Sequence, residues 1–168
     1  MVRARSVVVL GLLASRMAAQ LPLPSTRTLT FGMVGLARGQ VARLNVLNTG
    51  AGAAAACICE LSFLDANAAI LGSNSAQLAG GKAAYLDLEH SDVKGAPERV
   101  QIRGVVRTSP ASAGPNQPGT PVLAAPCGIV PTLEILNKQS GRTTVVLTNA
   151  IEIMQLAPEQ LPPQHAGR

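Results

Sequence analysis

The sequence predicts an all-β protein, a two-layer antiparallel β-sandwich of seven or eight strands. Three observations carry that expectation. Short segments place apolar residues at every second position, turn-forming residues separate them, and no segment has the apolar spacing of an amphipathic helix. The clearest segment runs from Cys57 to Leu71 and reads as strand, tight turn and strand. Cys57, Cys59, Leu61 and Phe63 occupy one parity and Ile58, Glu60, Ser62 and Leu64 the other, the period of a strand with one buried face. Asp65, Ala66 and Asn67 then interrupt the run with residues suited to a hairpin turn.

The remaining elements follow in order. Residues 21–27 form a lead-in, and the domain spans 28–156. Thr28 to Leu36 reads as a first strand and Ala37, Arg38 and Gly39 as a turn. Gln40 to Asn48 follows, with Ala42, Leu44 and Val46 alternating against Arg43, Asn45 and Leu47. Ser73 to Gly81 carries turn chemistry, and Ala83 to Leu88 is a strand with Ala84, Leu86 and Leu88 facing inward. Arg99 to Arg107 sets Val100, Ile102 and Val106 against Arg99, Gln101, Arg103 and Arg107, with Gly104 at an inward position that suggests a bulge. The five prolines of residues 109–126 predict a long loop. Ile129 to Leu136 and Arg142 to Thr148 make a last hairpin, Ile151 to Leu156 extends that edge, and 157–168 reads as a disordered tail.

Residues 1–20 have the order of a secretory signal peptide: Arg3 and Arg5, then the apolar run from Ser6 to Ala14, then Ala18 and Ala19. Cleavage is expected near Gln20, with an uncleaved anchor as the alternative. The localisation implied is secreted or periplasmic, with no membrane span in the mature chain. The chain carries 14 Lys and Arg against 9 Asp and Glu, a net charge of +5. Without Arg3, Arg5 and Arg16, 11 basic residues face 9 acidic ones, a net +2. With Tyr85, Phe31 and Phe63 as the only aromatics, this balance excludes a nucleic-acid partner, which needs a concentrated basic footprint and stacking platforms.

Three cysteines in an exported chain predict one disulfide and one leftover thiol. Cys57 and Cys59 point the same way on one strand and are poorly placed to bond to each other. The expected pair is Cys57 with Cys127, leaving Cys59 as a small core residue; three reduced cysteines are the alternative.

Three segments, "VARLNVLNTG" from Val41, "CELSFLDANAAIL" from Cys59 and "LAGGKAAYLDL" from Leu78, resemble the immunoglobulin-like and fibronectin-like accessory modules of bacterial exported proteins. The resemblance covers mainly residues 41–88 and implies an immunoglobulin-like sandwich with a binding or scaffolding role.

Chemistry-bearing patterns are weak. Gly50, Gly52 and Ala55 mimic a dinucleotide fingerprint, but a strand follows where a helix is required. Gly80, Gly81 and Lys82 hint at a phosphate loop, but Ala83 stands where Ser or Thr is needed. A metal centre would have only His90, His165 and Cys59 to draw on, and no His lies near Cys127. Glu89, His90, Ser91 and Asp92 hold triad chemistry, but as neighbours in a loop they point in different directions. Arg99, Arg103 and Arg107 form a stripe that serves an acidic partner or pairs with acids such as Asp87.

The expectation is therefore a non-enzymatic exported module with no catalytic, cofactor-binding or metal-binding residues, no cofactor and no identifiable small-molecule ligand. Its partner is another protein or a cell-surface assembly. A periplasmic strand-edge chaperone or adhesion-type module, and a small secreted hydrolase, are the alternatives.

Overall fold

The computed structural model describes residues 26–51, 56–111 and 127–154. The readings made for residues 1–20, for Gly52 and Ala55, for the centre of the long loop, for His165 and for the tail lie outside them. Among the described residues there are ten strands: β1 (Arg27–Thr30), β2 (Val34–Ala37), β3 (Gln40–Asn48), β4 (Cys57–Asp65), β5 (Ile70–Leu78), β6 (Ala83–Glu89), β7 (Arg99–Pro110), β8 (Ile129–Asn137), β9 (Thr143–Leu147) and β10 (Ile151–Met154). They form two antiparallel sheets, one ordered β10-β1-β7-β4-β5 with β2 also on β7, the other ordered β6-β3-β8-β9. The all-β sandwich expected from the alternation is the fold.

The core lies between the inward parities of both sheets. Leu44 and Val46 of β3, Leu61 and Phe63 of β4, Ile102 of β7 and Leu133 of β8 are fully buried. Large apolar side chains on alternate positions dominate sandwich stability because each removes roughly 1.5–3 kcal/mol worth of apolar surface from water.

The strand count exceeds seven or eight for identifiable reasons. The expected strand from Thr28 to Leu36 is two strands, because Leu29 and Phe31 face inward on odd positions and Leu36 on an even one. A regular strand cannot bury both parities on one side. The chain breaks at Phe31, whose N–H donates to the Gly104 carbonyl at 3.0 Å, and resumes one residue out of step on β7: Thr30 faces Val105, whereas Val34 faces Ile102. The turn expected within Ser73 to Gly81 begins only after Leu78, and the preceding polar residues form β5, paired to β4 with Ser62 opposite Ser73 and Glu60 opposite Ser75. As an edge strand it buries little, so it has no apolar alternation to betray it.

β7 departs from the sequence expectation in two respects. Gly104 marks no bulge: its pairing with Phe63 is in register, and the irregularity lies between Phe63 and Leu64 on the β5 side. A Cβ on Gly104 would stand 3.1 Å from Leu44 Cδ1 and 3.4 Å from Phe31 Cδ2, so glycine permits close approach of the sheets there. Ser109 and Pro110, assigned to the long loop, complete β7. Ala111 N–H donates to Ala56 O at 3.0 Å, so the backbone of Pro110, one residue earlier, turns away from β4 and its missing donor interrupts no bond to that strand.

The hairpin turns match their residues. Asp65 Oδ1 accepts the N–H groups of Asn67 and Ala69, both at 2.8 Å. Asn137 Oδ1 accepts those of Gln139 and Ser140 at 3.0 and 2.9 Å, before Gly141 at φ 66°.

Candidate functional site

The predicted disulfide is present. Cys57 opens β4 in one sheet, Cys127 precedes β8 in the other, and their Cα atoms are 5.8 Å apart. Cys59 is buried with a free thiol, which burial pushes up to about 11, so it carries no thiolate at neutral pH. Beside the bridge, the Arg27 guanidinium donates to the Cys127 carbonyl at 3.3 Å and grips both carboxylate oxygens of Glu152 at 2.6 Å. The hydrogen bond from Arg27 holds the Glu152 carboxyl below the usual carboxylate range. These contacts fasten β1 and β10 to the disulfide end.

The opposite end holds a concavity of about 540 Å³ lined by Arg38, Gln40, Glu89, His90, Ser91 and Lys138, among others. Glu89 is its centre: the carboxylate accepts from Lys138 Nζ at 2.6 Å and from the Ser91 hydroxyl at 3.1 Å, which keeps it ionised below the ordinary range. Asp92 Oδ2 accepts the Glu89 N–H at 3.0 Å and stabilises the single 3₁₀ turn His90–Asp92. His90 turns inward, is buried, and its Nε2 lies 2.7 Å from the Pro97 carbonyl; that nitrogen therefore carries the proton and donates. The imidazole Nε2 is thus committed to a backbone oxygen, and the Ser91 hydroxyl donates to Glu89 rather than to His90. This end pins loops together. Lys138 supplies two of the ties, since its N–H also donates to the Gly39 carbonyl at 2.8 Å.

The Gly80-Gly81-Lys82 step is a tight turn whose backbone is already engaged: Lys82 N–H donates to Ala79 O, Gly81 N–H to Asn48 O, and Asn48 N–H to Lys82 O. Among the described residues, no three of His, Cys, Asp and Glu come together as metal ligands. No described helix is long and apolar enough to cross a membrane.

The arginine stripe lies on one face of β7 as its spacing predicts, but Asp87 does not pair with it. Asp87 belongs to β6 of the other sheet, where its carboxylate takes Arg43 Nε and Nη2 at 2.8 and 2.7 Å while the guanidinium stacks 4.7 Å from the Tyr85 ring centre. Among the described residues Arg99, Arg103 and Arg107 enter no ion pair. The Arg99 guanidinium lies over Gly35, and Arg103 Nε is buried without a hydrogen-bond partner.

The most distinctive surface is the edge of β5, ILGSNSAQL, nine residues without a charge or a proline. No described strand lies beyond it. The Ala111 N–H donates to the carbonyl of Ala56 directly opposite, which fixes the alternation through β4. Odd residues of β4 bond toward β5, so their partners Gly72, Asn74 and Ala76 bond inward, while Ser73, Ser75 and Gln77 aim N–H and C=O outward. Alongside, Glu60, Ser62, Ile70, Ser73, Ser75 and Arg107 line a shallow concavity of about 450 Å³ on the outer face. The other described edges are blunted: β9, β10 and β2 have five, four and four residues, and β6 carries Asp87 and Glu89 in ion pairs. Periodicity cannot reveal β5, but an uncharged polar stretch after a tight hairpin was a usable signal.

No protein-family model matches the sequence, and no curated protein matches it. Among solved structures it is similar to Thermotoga maritima 1070, with a TM-score of 0.43 and 16% identity over 74% of this chain and 90% of that chain.

Proposed function

We propose that this chain is a non-enzymatic, exported β-sandwich module of the immunoglobulin-like and fibronectin-like accessory kind, and that it binds a partner protein by strand addition at β5. The observation that carries the reading is the uncharged edge, where Ser73, Ser75 and Gln77 direct backbone donors and acceptors outward. An incoming extended segment gains a ladder of main-chain bonds there, and its alternate side chains fall on the concavity of Glu60, Ser62 and Arg107. Export is supported by the disulfide, which persists in oxidising compartments. The non-enzymatic reading is supported by the engagement of His90 and Ser91 in structural bonds.

Photo-crosslinking in the cells that express the chain tests this. A photoreactive residue in place of Ser75 is expected to yield protein adducts, and one in place of exposed Lys94 is expected to yield none. Gln77→Pro removes an outward donor without touching the β4 ladder, and should abolish adducts formed from position 75. Absence of protein adducts from positions 73, 75 and 77 alike would overturn the reading.

A further inference from the structure

We infer that the partner of the β5 edge is a second copy of this chain, paired antiparallel about a two-fold axis through Asn74. The inference rests on the reading of β5 as a docking strand and names its occupant.

The strand is self-complementary. Read outward from Asn74, Ser73 mirrors Ser75 and Gly72 mirrors Ala76, and the match ends where Leu71 falls opposite Gln77. A two-fold axis perpendicular to the sheet sets each residue opposite its mirror on the same face, the isologous arrangement of closed dimers. Small residues meet small residues on the inward face, and serines meet serines on the outward one. Hydroxyls and carboxamides both donate and accept, so identical groups facing each other satisfy each other. Carboxylates or ammonium groups on the same strand would repel, and β5 has neither.

The backbone phase agrees. Asn74 bonds inward to β4, so at the axis the two Asn74 residues form a non-hydrogen-bonded pair, the closer type, and their exposed carboxamides come within reach. Ser73 and Ser75, with outward backbone groups, then exchange both N–H···O bonds with Ser75 and Ser73 of the second copy. A one-residue slip loses the backbone phase, setting inward-bonding residues against outward-bonding ones, and a two-residue slip keeps it but loses the pairing of like side chains, setting Asn74 against Ala76 or Gly72. The extra residue at Leu71, opposite the Phe63/Leu64 irregularity, by symmetry ends the regular ladder at both ends, so the interface is short and the dimer reversible.

Two measurements test the pairing in the oxidised full chain. Sedimentation from micromolar to millimolar concentration should show a reversible monomer–dimer equilibrium, and Asn74→Lys, which sets two ammonium groups face to face, should raise its dissociation constant at least about tenfold. Independently, Asn74→Cys should form a disulfide-linked dimer under mild oxidation, because a non-hydrogen-bonded antiparallel pair sets Cα atoms about 4.5 Å apart, within bonding range. Lys94→Cys should form none. Cys59 stays silent, being buried, and Cys57 and Cys127 are already joined. Gly72→Cys mixed with Ala76→Cys should cross-link to each other faster than either does to itself.

A chain that stays monomeric throughout, or a dimer that neither responds to Asn74→Lys nor cross-links through Asn74→Cys, overturns the inference. The two readings separate cleanly. Adducts from position 75 with a different protein, from a monomeric chain, sink self-pairing and leave strand addition standing; a monomer with no adducts sinks both.

Discussion

The side chain of Asn48 joins the two sheets: its Nδ2 donates at 2.9 Å to the carbonyl of Leu78, linking the last residue of β3 to the last residue of β5. Its Oδ1 accepts the Gly50 N–H at 3.0 Å, and the residue is fully buried. Removing one partner of a buried hydrogen bond leaves the other desolvated and unpaired, at about 1–3 kcal/mol each. Asn48→Ala is therefore expected to destabilise the fold by about 2–4 kcal/mol, read as a lowered urea midpoint with an unchanged slope. A shift under about 0.5 kcal/mol would show that water replaces both bonds.

At the same end, the Cys57–Cys127 bridge closes a stretch of 70 residues. In the chain-entropy account a loop of that length stabilises the folded state by about 4 kcal/mol. Cys57→Ala with Cys127→Ala should lower the unfolding free energy by that order, while Cys59→Ala, which touches no cross-link, should cost only the loss of a small buried side chain. Equal losses from both would mean that the bridge acts as packing alone.

What was legible in the sequence is what burial dictates. Ala42, Leu44 and Val46 on β3, Cys57 to Phe63 on β4, and Val100 and Ile102 on β7 alternate because one side of each strand faces the core. Cys57 and Cys59 share that parity, which rules out only a bond between them; Cys57 is legible as the partner of Cys127 because both open a strand after a loop, whereas Cys59 lies deeper. Where burial fails, the pattern fails: β5 pairs in full yet exposes Ser73, Asn74 and Ser75, so it reads as turn-forming sequence. The switch of parity between Phe31 and Leu36 is a register event between β1, β2 and β7, and only the partner strand defines it. Long-range polar ties such as Lys138 to Glu89, 49 residues apart, leave no local signal at all.

Gly104 gives a packing test. A β-carbon there meets Leu44 Cδ1 at 3.1 Å, the movable end of a side chain, and Phe31 Cδ2 at 3.4 Å. Gly104→Ala should cost about 1 kcal/mol and Gly104→Val about 2–3 kcal/mol, the range for overfilled cores. Because the crowding is shared with Leu44, Leu44→Ala combined with Gly104→Val should destabilise less than the sum of the two single changes, by more than about 0.5 kcal/mol in a double-mutant cycle. Strict additivity would show that the sheets separate at Gly104 and leave Leu44 untouched.

The ion pairs at the two ends give the molecule an acid-sensitive term whose sign is set by geometry. Glu89 and Glu152 hold their protons less tightly in the folded chain than in the unfolded one, chiefly because Lys138 and Arg27 donate hydrogen bonds to their carboxylates. A depressed folded value means that the unfolded state binds more protons in the acid range, so stability rises with pH there. The contribution is complete above the ordinary carboxylate value and is lost as pH falls through the lowered folded one. In Glu89→Gln and Lys138→Met the acid limb of a plot of urea midpoint against pH should flatten, while the neutral-pH midpoint drops slightly. Both groups are solvent-facing, so the effect should shrink as salt is added. Glu152→Gln should flatten the same limb independently, since Arg27 and Lys138 lie at opposite ends of the sandwich and share no partner. An acid limb unchanged in both Gln variants would show that these carboxylates are bound no differently in the folded and unfolded chains.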